Sequence, residues 1–354
     1  MDLIKMNVTK FLRFKKLIIG VVFFSFAGQL VFGQSSSSVG FTKREIAFFK
    51  WGNGDKEIGR KIETREDYEK KYKTFDKKTG LPEPTPILSV SEKNKIVRFW
   101  GPTQLKLDGN DNVYLSDTIN KRIFLVSPDG TTIRPVYSES GGYFDVDEVG
   151  DIFKNYYKRD DSGFICIHPD GRQDIYKNFD LSHVDNGIAY DQKKNQTIKI
   201  YDNGNKPEKL PVHRIDFKEI YSPAFTGLII DARKINKHLQ KINRRVDVDK
   251  IRVKFEERKG LGTEKKFLGV DDNGNSYILY RFYKKIFHAD HNQTLEVCVV
   301  VYSPNGLILF RLPVDIDPYE SPGFDHLLAI NIRGDIFHAW ESGDGVHIYK
   351  WIKN

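Results

Sequence analysis

Cysteine is nearly absent from this chain, whose 354 residues include only Cys166 and Cys298. Two cysteines cannot form a cysteine-based zinc site by themselves, because structural zinc sites take four ligands. The signatures of several enzyme classes are also absent: Gly-X-Ser-X-Gly, the phosphate-binding loop, the dinucleotide fingerprint and the metalloprotease helix. A catalytic triad scattered along the chain stays open, since such residues converge only in space.

Most of the chain also lacks a strong excess of charge. The formal net charge is +8, and residues 1–33 contribute +4 through five basic side chains and one acidic one. The remainder therefore carries 8 − 4 = +4, with Asp and Glu interspersed throughout. Nucleic-acid-binding proteins usually show a basic stripe or a known module. The basic run Lys237–Arg252 is explained equally well by a solvated insert, so the sequence predicts no nucleic-acid partner.

The amino terminus has the layout of a secretory signal peptide. A basic stretch, Lys5–Lys16, precedes the apolar run Leu17–Phe26, and small residues follow up to Gly33. This order predicts a signal peptide over 1–33, cleaved before Gln34, and a periplasmic or secreted protein without stable membrane insertion. The alternative is an uncleaved membrane anchor, because Leu17–Phe32 is only slightly short of a span. The intact mass of the native protein distinguishes the two.

A short pattern of polar turn residues followed by Tyr or Phe recurs four times. The copies are Asp108–Tyr114, Asp147–Phe153, Asp271–Tyr277 and Asn331–Phe337. Their starts are separated by 147 − 108 = 39, 271 − 147 = 124 and 331 − 271 = 60 residues. Three steps of about 41 residues, the length of a four-stranded propeller blade, fit the middle gap. The spacing therefore predicts an all-β, six-bladed β-propeller with two degenerate blades in that gap.

A recurring hairpin turn gives the same spacing. Its copies are Ser127–Gly130, His168–Gly171 and Ser303–Gly306, each Pro-Asp-Gly or Pro-Asn-Gly after one polar residue. Proline presets φ for the first turn position, and glycine supplies the positive φ that reverses the chain. These landmarks predict one propeller domain over 34–354, with blades starting near residues 99, 143, 187, 217, 266 and 324.

Two further segments complete the predicted fold. The last blade lacks an outer strand. The apolar strand Arg44–Trp51, with side chains alternating between two faces, is expected to supply it by pairing with Val346–Ile352, because closure protects sheet edges. Short helical inserts are predicted over 64–76, with Thr64 in its capping pair, and within Asp231–Asn243. Cys166 and Cys298 then lie in blades on opposite sides of the ring. Because a disulfide needs Cα atoms within about 7 Å, we predict two buried free thiols.

The first blade resembles a known repeat. Gly101-Pro102, Asp108–Ile123 and Ser127–Gly130 look like an NHL-type repeat of the six-bladed, TolB-like propeller superfamily. The resemblance implies architecture more than function, because that superfamily includes binding scaffolds, lactonases and lyases.

Two groups of polar residues are candidate sites. Asp117, Asn120 and Arg122 follow a predicted strand of the first blade, where they would either line a ligand pocket or organise the turn. His288, Asp290 and His291, in a long loop of the fifth blade, could give two imidazoles and a carboxylate to a divalent ion, with His326 or His183 as a further ligand. A solvated polar loop is the alternative.

The segment Asp185–Ala189 resembles one in gluconolactonase and regucalcin-like propellers. The resemblance implies that Asn186 is a ligand of a catalytic divalent metal such as calcium or zinc, with His183 or Asp185 beside it. Asn-Gly is also an ordinary turn signal. Our leading hypothesis is an exported monomeric binding module for an unknown protein or small-molecule ligand, with no required cofactor. The alternative is a metal-dependent hydrolase of that lactonase type.

Overall fold

Antiparallel β-strands are the main secondary structure of the residues that the computed structural model describes. The described residues are 40–64, 96–138, 143–158, 161–185, 188–191, 196–199, 220–222, 227–240, 243–284, 293–315 and 327–354. Within them, no helix is both long enough and apolar enough to cross a membrane. The predicted signal peptide, residues 1–33, lies outside this description.

Twenty-five strands and one helix are described. In chain order the strands are β1 (Phe41–Trp51), β2 (Glu57–Ile58), β3 (Lys61–Thr64), β4 (Ile96–Trp100), β5 (Leu105–Leu107), β6 (Val113–Asp117), β7 (Arg122–Val126), β8 (Ile133–Tyr137), β9 (Asp145–Val146), β10 (Ile152–Lys158), β11 (Asp161–Ile167), β12 (Gln173–Lys177), β13 (Leu181–Asp185), β14 (Ile188–Asp191), β15 (Gln196–Lys199), β16 (Ile220–Ser222), β17 (Gly227–Asp231), β18 (Lys250–Lys254), β19 (Gly262–Val270), β20 (Ser276–Lys284), β21 (Gln293–Tyr302), β22 (Ile308–Pro313), β23 (Leu328–Ile330), β24 (Ile336–Glu341) and β25 (Gly345–Lys353). The helix α1 (Ala232–Leu239) follows β17.

The strands form sheets that follow one another along the chain. We number them the first sheet (β5 to β8), second (β9 to β12), third (β13 to β15), fourth (β16 to β18), fifth (β19 to β22) and sixth (β23, β24 and β25 with β1 and β2). In the first five, each strand pairs with the next one in sequence. A further two-stranded sheet joins β3 to β4. Successive meanders of this kind are the blades of a β-propeller.

A buried aspartate organises the recurring turn. In the first sheet, Asp108 Oδ1 accepts the backbone N–H groups of Asn110 and Asn112 at 2.8 and 2.9 Å. Its Oδ2 accepts the Asn112 side-chain amide at 2.8 Å and the Tyr114 hydroxyl at 3.2 Å. Asp271 makes the same set of bonds in the fifth sheet. A short polar side chain that hydrogen-bonds the backbone two residues ahead stabilises a turn, so the pattern encodes the hairpin between the first two strands of a blade.

Apolar clusters give the order of the sheets around the ring. Each of the five large clusters joins neighbouring sheets: fourth with fifth, fifth with sixth, sixth with first, first with second, and second with third. At the sixth–first junction, the rings of Phe49 and Phe124 have centroids 4.9 Å apart. The last sheet therefore packs on the first, as in a closed propeller. The junction between third and fourth sheets falls partly outside the described residues, so the number of six blades stays a prediction.

The predicted closure of the ring by the amino-terminal strand is confirmed. β1 pairs antiparallel with β25 from Phe41 opposite Lys353 to Lys50 opposite Gly345. Two details differ from the prediction. A bulge between Glu45 and Ala47 breaks the expected alternation of faces, and β1 is not outermost, because β2 adds in parallel beyond it.

Other expectations have mixed outcomes. Helix α1 confirms the insert predicted in Asp231–Asn243, and its Ile235 and Leu239 are buried. Both cysteines are buried free thiols, as predicted. The predicted helix over 64–76 is wrong at its first residue, because Thr64 ends strand β3, and its remainder lies outside the description. The third sheet begins at Leu181 rather than near 187, since β13 precedes the predicted first strand.

Two glycines at equivalent turn positions allow a matched test of packing between sheets. Gly130 and Gly171 have φ of 77° and 88°. A Cβ on Gly130 would collide with the carbonyl oxygen of Ile46, whereas one on Gly171 would meet no atom within 4 Å. Left-handed backbone costs an alanine about 1–2 kcal/mol, and overpacking adds about 1–3 kcal/mol.

We therefore expect Gly171→Ala to lower the free energy of unfolding by about 1–2 kcal/mol. Gly130→Ala should lower it by about 3 kcal/mol or more, because strain and collision combine. Urea denaturation of both variants measures the two losses. Equal losses of unfolding free energy would show that the Gly130 turn of the first sheet does not pack closely against β1.

Candidate functional site

The predicted trio Asp117, Asn120 and Arg122 meets at the turn between β6 and β7. Asp117 is fully buried. Its Oδ1 accepts the backbone N–H groups of Asn120 and Gly59, both at 3.1 Å. Its Oδ2 accepts the Asn120 side-chain amide and Arg122 Nε, both at 2.9 Å. The carboxylate thus faces four donors.

The same trio holds the segment between β1 and β2. The Asn120 side-chain amide donates to the carbonyl of Gly52 at 2.9 Å. The Arg122 guanidinium donates to the carbonyls of Gly54 and Glu57 at 2.8 and 2.5 Å. These bonds fasten the amino-terminal segment to the first sheet. The geometry favours turn organisation over the alternative of a ligand pocket.

The metal ligands predicted from sequence lie largely outside the description. His183 and Asp185 belong to the inner strand β13, and Asp185 is opposite Ile188 in the hairpin. Asn186 follows Asp185 and lies outside the described residues. The described residues also leave out His288, Asp290, His291 and His326. A metal site built from these residues therefore stays a prediction.

The structure brings together a group of ligand-type side chains that the sequence did not single out. Among the described residues, Asp151, Cys166 and His168 form a group that could hold a metal ion, with ligand atoms all within 4.8 Å of one another. Asp151 precedes β10, and Cys166 lies in β11, two residues before His168. Asp174, in β12, pairs with Cys166 across the sheet. Three adjacent strands thus deliver four such side chains to one face.

The His168 imidazole lies between two carboxylates. Its Nδ1 is 3.0 Å from Asp151 Oδ1, and its Nε2 is 3.0 Å from Asp174 Oδ2. The Cys166 sulfur lies 3.8 Å from His168 Nε2 and 3.9 Å from Asp151 Oδ2. The Arg172 guanidinium is 3.0 Å from Asp174 Oδ2 and is the cation beside the cluster.

Burial and charge act in opposite directions on these groups. Burial raises the pKa of the Cys166 thiol, and the negative charge of Asp151 raises it further. Burial by itself lowers the pKa of His168, but hydrogen bonds and charge from Asp174 and Asp151 outweigh it, so that pKa is raised. The cluster therefore favours positive charge at its centre, on a protonated imidazole or on a bound cation.

Two signals in the sequence point to this cluster. Cys166 and His168 are two residues apart at the end of β11, a spacing that directs both side chains to the same face. His168 also stands where the other two recurring turns have Ser127 and Ser303. The spacing matches no defined metal motif, and Asp151 and Asp174 come close only through strand pairing.

A second unusual feature is an exposed apolar run at the outer edge of the fifth sheet. Leu307, Ile308 and Leu309 have 68%, 54% and 43% of their surface exposed. They follow the turn Ser303–Gly306, at the start of β22. In the described part of the chain, β22 pairs with β21 alone and ends the sheet.

Comparisons with known proteins do not name a family. No protein-family model matches the chain, and no curated protein matches it. Among solved structures, virginiamycin B lyase from Staphylococcus aureus aligns at 10% identity and a TM-score of 0.36, covering 72% of this chain and 95% of that one. A gluconolactonase from Xanthomonas campestris aligns at 12% identity and a TM-score of 0.31, covering 71% and 86%. Both TM-scores lie below 0.5, so the propeller assignment depends on the sheets themselves and neither likeness assigns an activity.

Proposed function

We propose that this chain is an exported β-propeller that acts as a protein-binding module. The exposed run Leu307, Ile308 and Leu309 carries the proposal. Three consecutive exposed aliphatic side chains are unusual on a chain in which 29% of residues are charged. Exposed apolar surface of this kind marks contact sites. The partner we propose is an extended protein segment with apolar side chains.

The position of the run explains why an extended segment fits. An edge strand presents backbone N–H and C=O groups that a further strand can pair with. Recognition by strand addition uses these backbone bonds for affinity and alternate side chains for specificity. In the described residues, β22 offers such an edge beside the aliphatic side chains.

The other blades show that the fold does not require apolar residues here. Strand register places Ile308 opposite Tyr302, as Gln173 is opposite Ile167 and Ile133 is opposite Val126. By this register, Leu307 and Ile308 correspond to Arg172 and Gln173 in the second sheet and to Thr132 and Ile133 in the first, whereas Leu309 lies in a bulge before Phe310. Of the three sheets compared, only the fifth has aliphatic residues at both positions.

A variant with polar residues in the apolar run, two of them taken from the second sheet, tests the proposal. Leu307→Arg, Ile308→Gln and Leu309→Asp together should leave the melting temperature nearly unchanged, because the replaced side chains are exposed. Peptides selected from a displayed random library on the wild-type mature chain should be rich in apolar, strand-forming residues. Their binding to the triple variant should weaken at least about tenfold, which corresponds to about 1.4 kcal/mol.

The control is a matched change at an equivalent position elsewhere. Thr132→Arg in the first sheet alters charge at the same turn and should leave peptide binding intact. Selected peptides that bind the triple variant as tightly as the wild type would contradict the proposed surface. A library that yields no binding peptides would contradict the binding module itself.

Four narrower statements belong to the same proposal. We propose that the repeats are of the NHL type in the TolB-like superfamily, on the pattern of Asp108–Tyr114, and that six blades form the ring. We propose that residues 1–33 direct export, and that the mature chain acts as a monomer. The alternative of a lactonase-type hydrolase depends on Asn186 and its neighbours His183 and Asp185, and no contact of the described residues favours it.

A further inference from the structure

We propose that Cys166, His168 and Asp174, with Asp151 orienting the histidine, form a binding site for a divalent metal ion of the zinc class. The site lies on the second sheet, and it is independent of the apolar edge on the fifth. None of its four residues belongs to the metal candidates predicted from sequence.

The distances suit such an ion. Zinc binds sulfur at about 2.3 Å and nitrogen or oxygen at about 2.0–2.2 Å. In a tetrahedral site these bond lengths place a sulfur roughly 3.5 Å from a nitrogen or oxygen ligand. Cys166 Sγ lies 3.8 Å from His168 Nε2, and His168 Nε2 lies 3.0 Å from Asp174 Oδ2. An ion held by Cys166 and His168 would draw in Asp174, whose partly exposed side chain would turn toward it.

Asp151 gives the histidine its orientation. Its Oδ1 lies 3.0 Å from His168 Nδ1, so a proton on Nδ1 leaves Nε2 with its lone pair toward Cys166 and Asp174. Histidines that bind metals commonly donate the other ring N–H to a carboxylate, which fixes the tautomer and the ring plane. Asp151 is buried, so this hydrogen bond is shielded from water.

The ligand types select the class of ion. A thiolate favours zinc over calcium or magnesium, which prefer oxygen ligands, and imidazole with carboxylate is compatible with zinc. Binding replaces the Cys166 S–H proton with a bond to the metal, and that proton passes to solvent, while His168 Nε2 binds through its lone pair. The Cys166 thiolate and the Asp174 carboxylate together balance the two charges of the ion.

The first sheet shows that the scaffold does not need these residues. By strand register, the first-sheet equivalents of Asp151, Cys166, His168 and Asp174 are Asn112, Leu125, Ser127 and Arg134. The first sheet folds with the same hairpins and has no comparable set of ligands. All four positions therefore change together in the second sheet.

Cobalt and zinc titrations of the purified mature chain test the proposal. After removal of bound metal with a chelator, the wild-type chain should bind one equivalent of Co²⁺ with a thiolate charge-transfer absorption band, and Zn²⁺ should displace it. Cys166→Ser should lose the band. Cys298→Ser, which removes the other buried cysteine, should keep it.

Substitutions at two partly exposed residues, Asp174 and Arg172, test the proposal even if Cys166→Ser does not fold. Asp174→Asn should weaken Co²⁺ binding about tenfold or more, in line with the loss of one ligand. Arg172→Gln should strengthen it about fivefold, because it removes a competing cation 3.0 Å from Asp174 in a partly exposed setting. If the cluster only stabilises the hairpin, neither substitution should change the affinity for Co²⁺. Absence of a stoichiometric cobalt complex, or a band lost in Cys298→Ser and kept in Cys166→Ser, would overturn the proposal.

Discussion

Deletion of residues 35–52 is expected to lower the free energy of unfolding by several kcal/mol and to broaden or abolish the cooperative transition. The deletion removes β1, the only described partner of β25 on its outer side. It also removes Ile46, Ala47 and Phe49 from the cluster that joins the sixth sheet to the first. Losing a buried Phe or Ile side chain typically costs about 2–5 kcal/mol. Urea denaturation of the mature chain and the deletion variant measures the loss.

Two adjacent phenylalanines supply the matched control. Phe49 is fully buried and packs on Phe124, whereas Phe48 is half-buried and its ring lies over His347 at 4.6 Å. Phe49→Ala should cost about 3–5 kcal/mol, as for a large buried aromatic residue. Phe48→Ala should cost about 1 kcal/mol, the scale of one aromatic contact at a partly solvated site. A deletion variant as stable as the mature chain, or equal losses from the two alanines, would show that β1 does not close the ring.

Acid is expected to destabilise the propeller through His338. This histidine lies in β24, is buried, and has no hydrogen-bond partner at Nδ1. Its pKa is lowered from 6.5 to about 4, chiefly by burial, with the charge of Asp315 raising it and that of Lys43 lowering it. Because the unfolded chain binds this proton more readily than the folded protein, the unfolded state gains stability as the pH falls from 6.5 to about 4. Well above pH 6.5 the imidazole is neutral in both states and contributes no pH dependence.

The expected size follows from the shift in pKa. One pKa unit is worth about 1.4 kcal/mol, so protonation of this site removes about 3 kcal/mol at pH 4 relative to pH 7. His338→Gln keeps a polar side chain and removes the titration. The difference in stability between wild type and variant should therefore shrink, or reverse, as the pH falls. Equal pH dependence of the free energy of unfolding in both proteins would contradict a buried neutral His338.

Much of the fold could be predicted because its signals are local. Asp108 accepts a hydrogen bond from the backbone of Asn112, four residues later, and Asp271 does the same with Asn275. This local bond specifies a hairpin wherever the pattern occurs. The glycines that end the recurring turns have the positive φ that the sequence predicts. The apolar alternation of Arg44–Trp51 indicated a strand, and the missing strand of the last blade indicated its partner. Hydrogen bonds between residues a few positions apart, and contacts along one strand, produce a periodic pattern in the sequence.

The candidate site was harder to predict because it depends on pairing between strands. Cys166 and His168 share a face by their spacing, but Asp151 and Asp174 reach them only through the registers of β10 and β12 with β11. The same limit applies to Asn331, whose amide donates to Asp111 across 220 residues. No spacing in the sequence indicates that pair.

The sequence by itself determined the recurring strand pairs and turns, the helix after β17, the free thiols and the strand that pairs with the carboxyl terminus. Only the tertiary structure decided which sheets touch, which turn glycine presses on a neighbouring backbone, and which polar side chains meet. It also placed β2 beyond β1 and left Leu307, Ile308 and Leu309 exposed. The physical reason is that turns and alternation depend on bonds between near neighbours. Contacts between blades depend on side chains brought together by the closure of the ring, whose partners are distant in sequence.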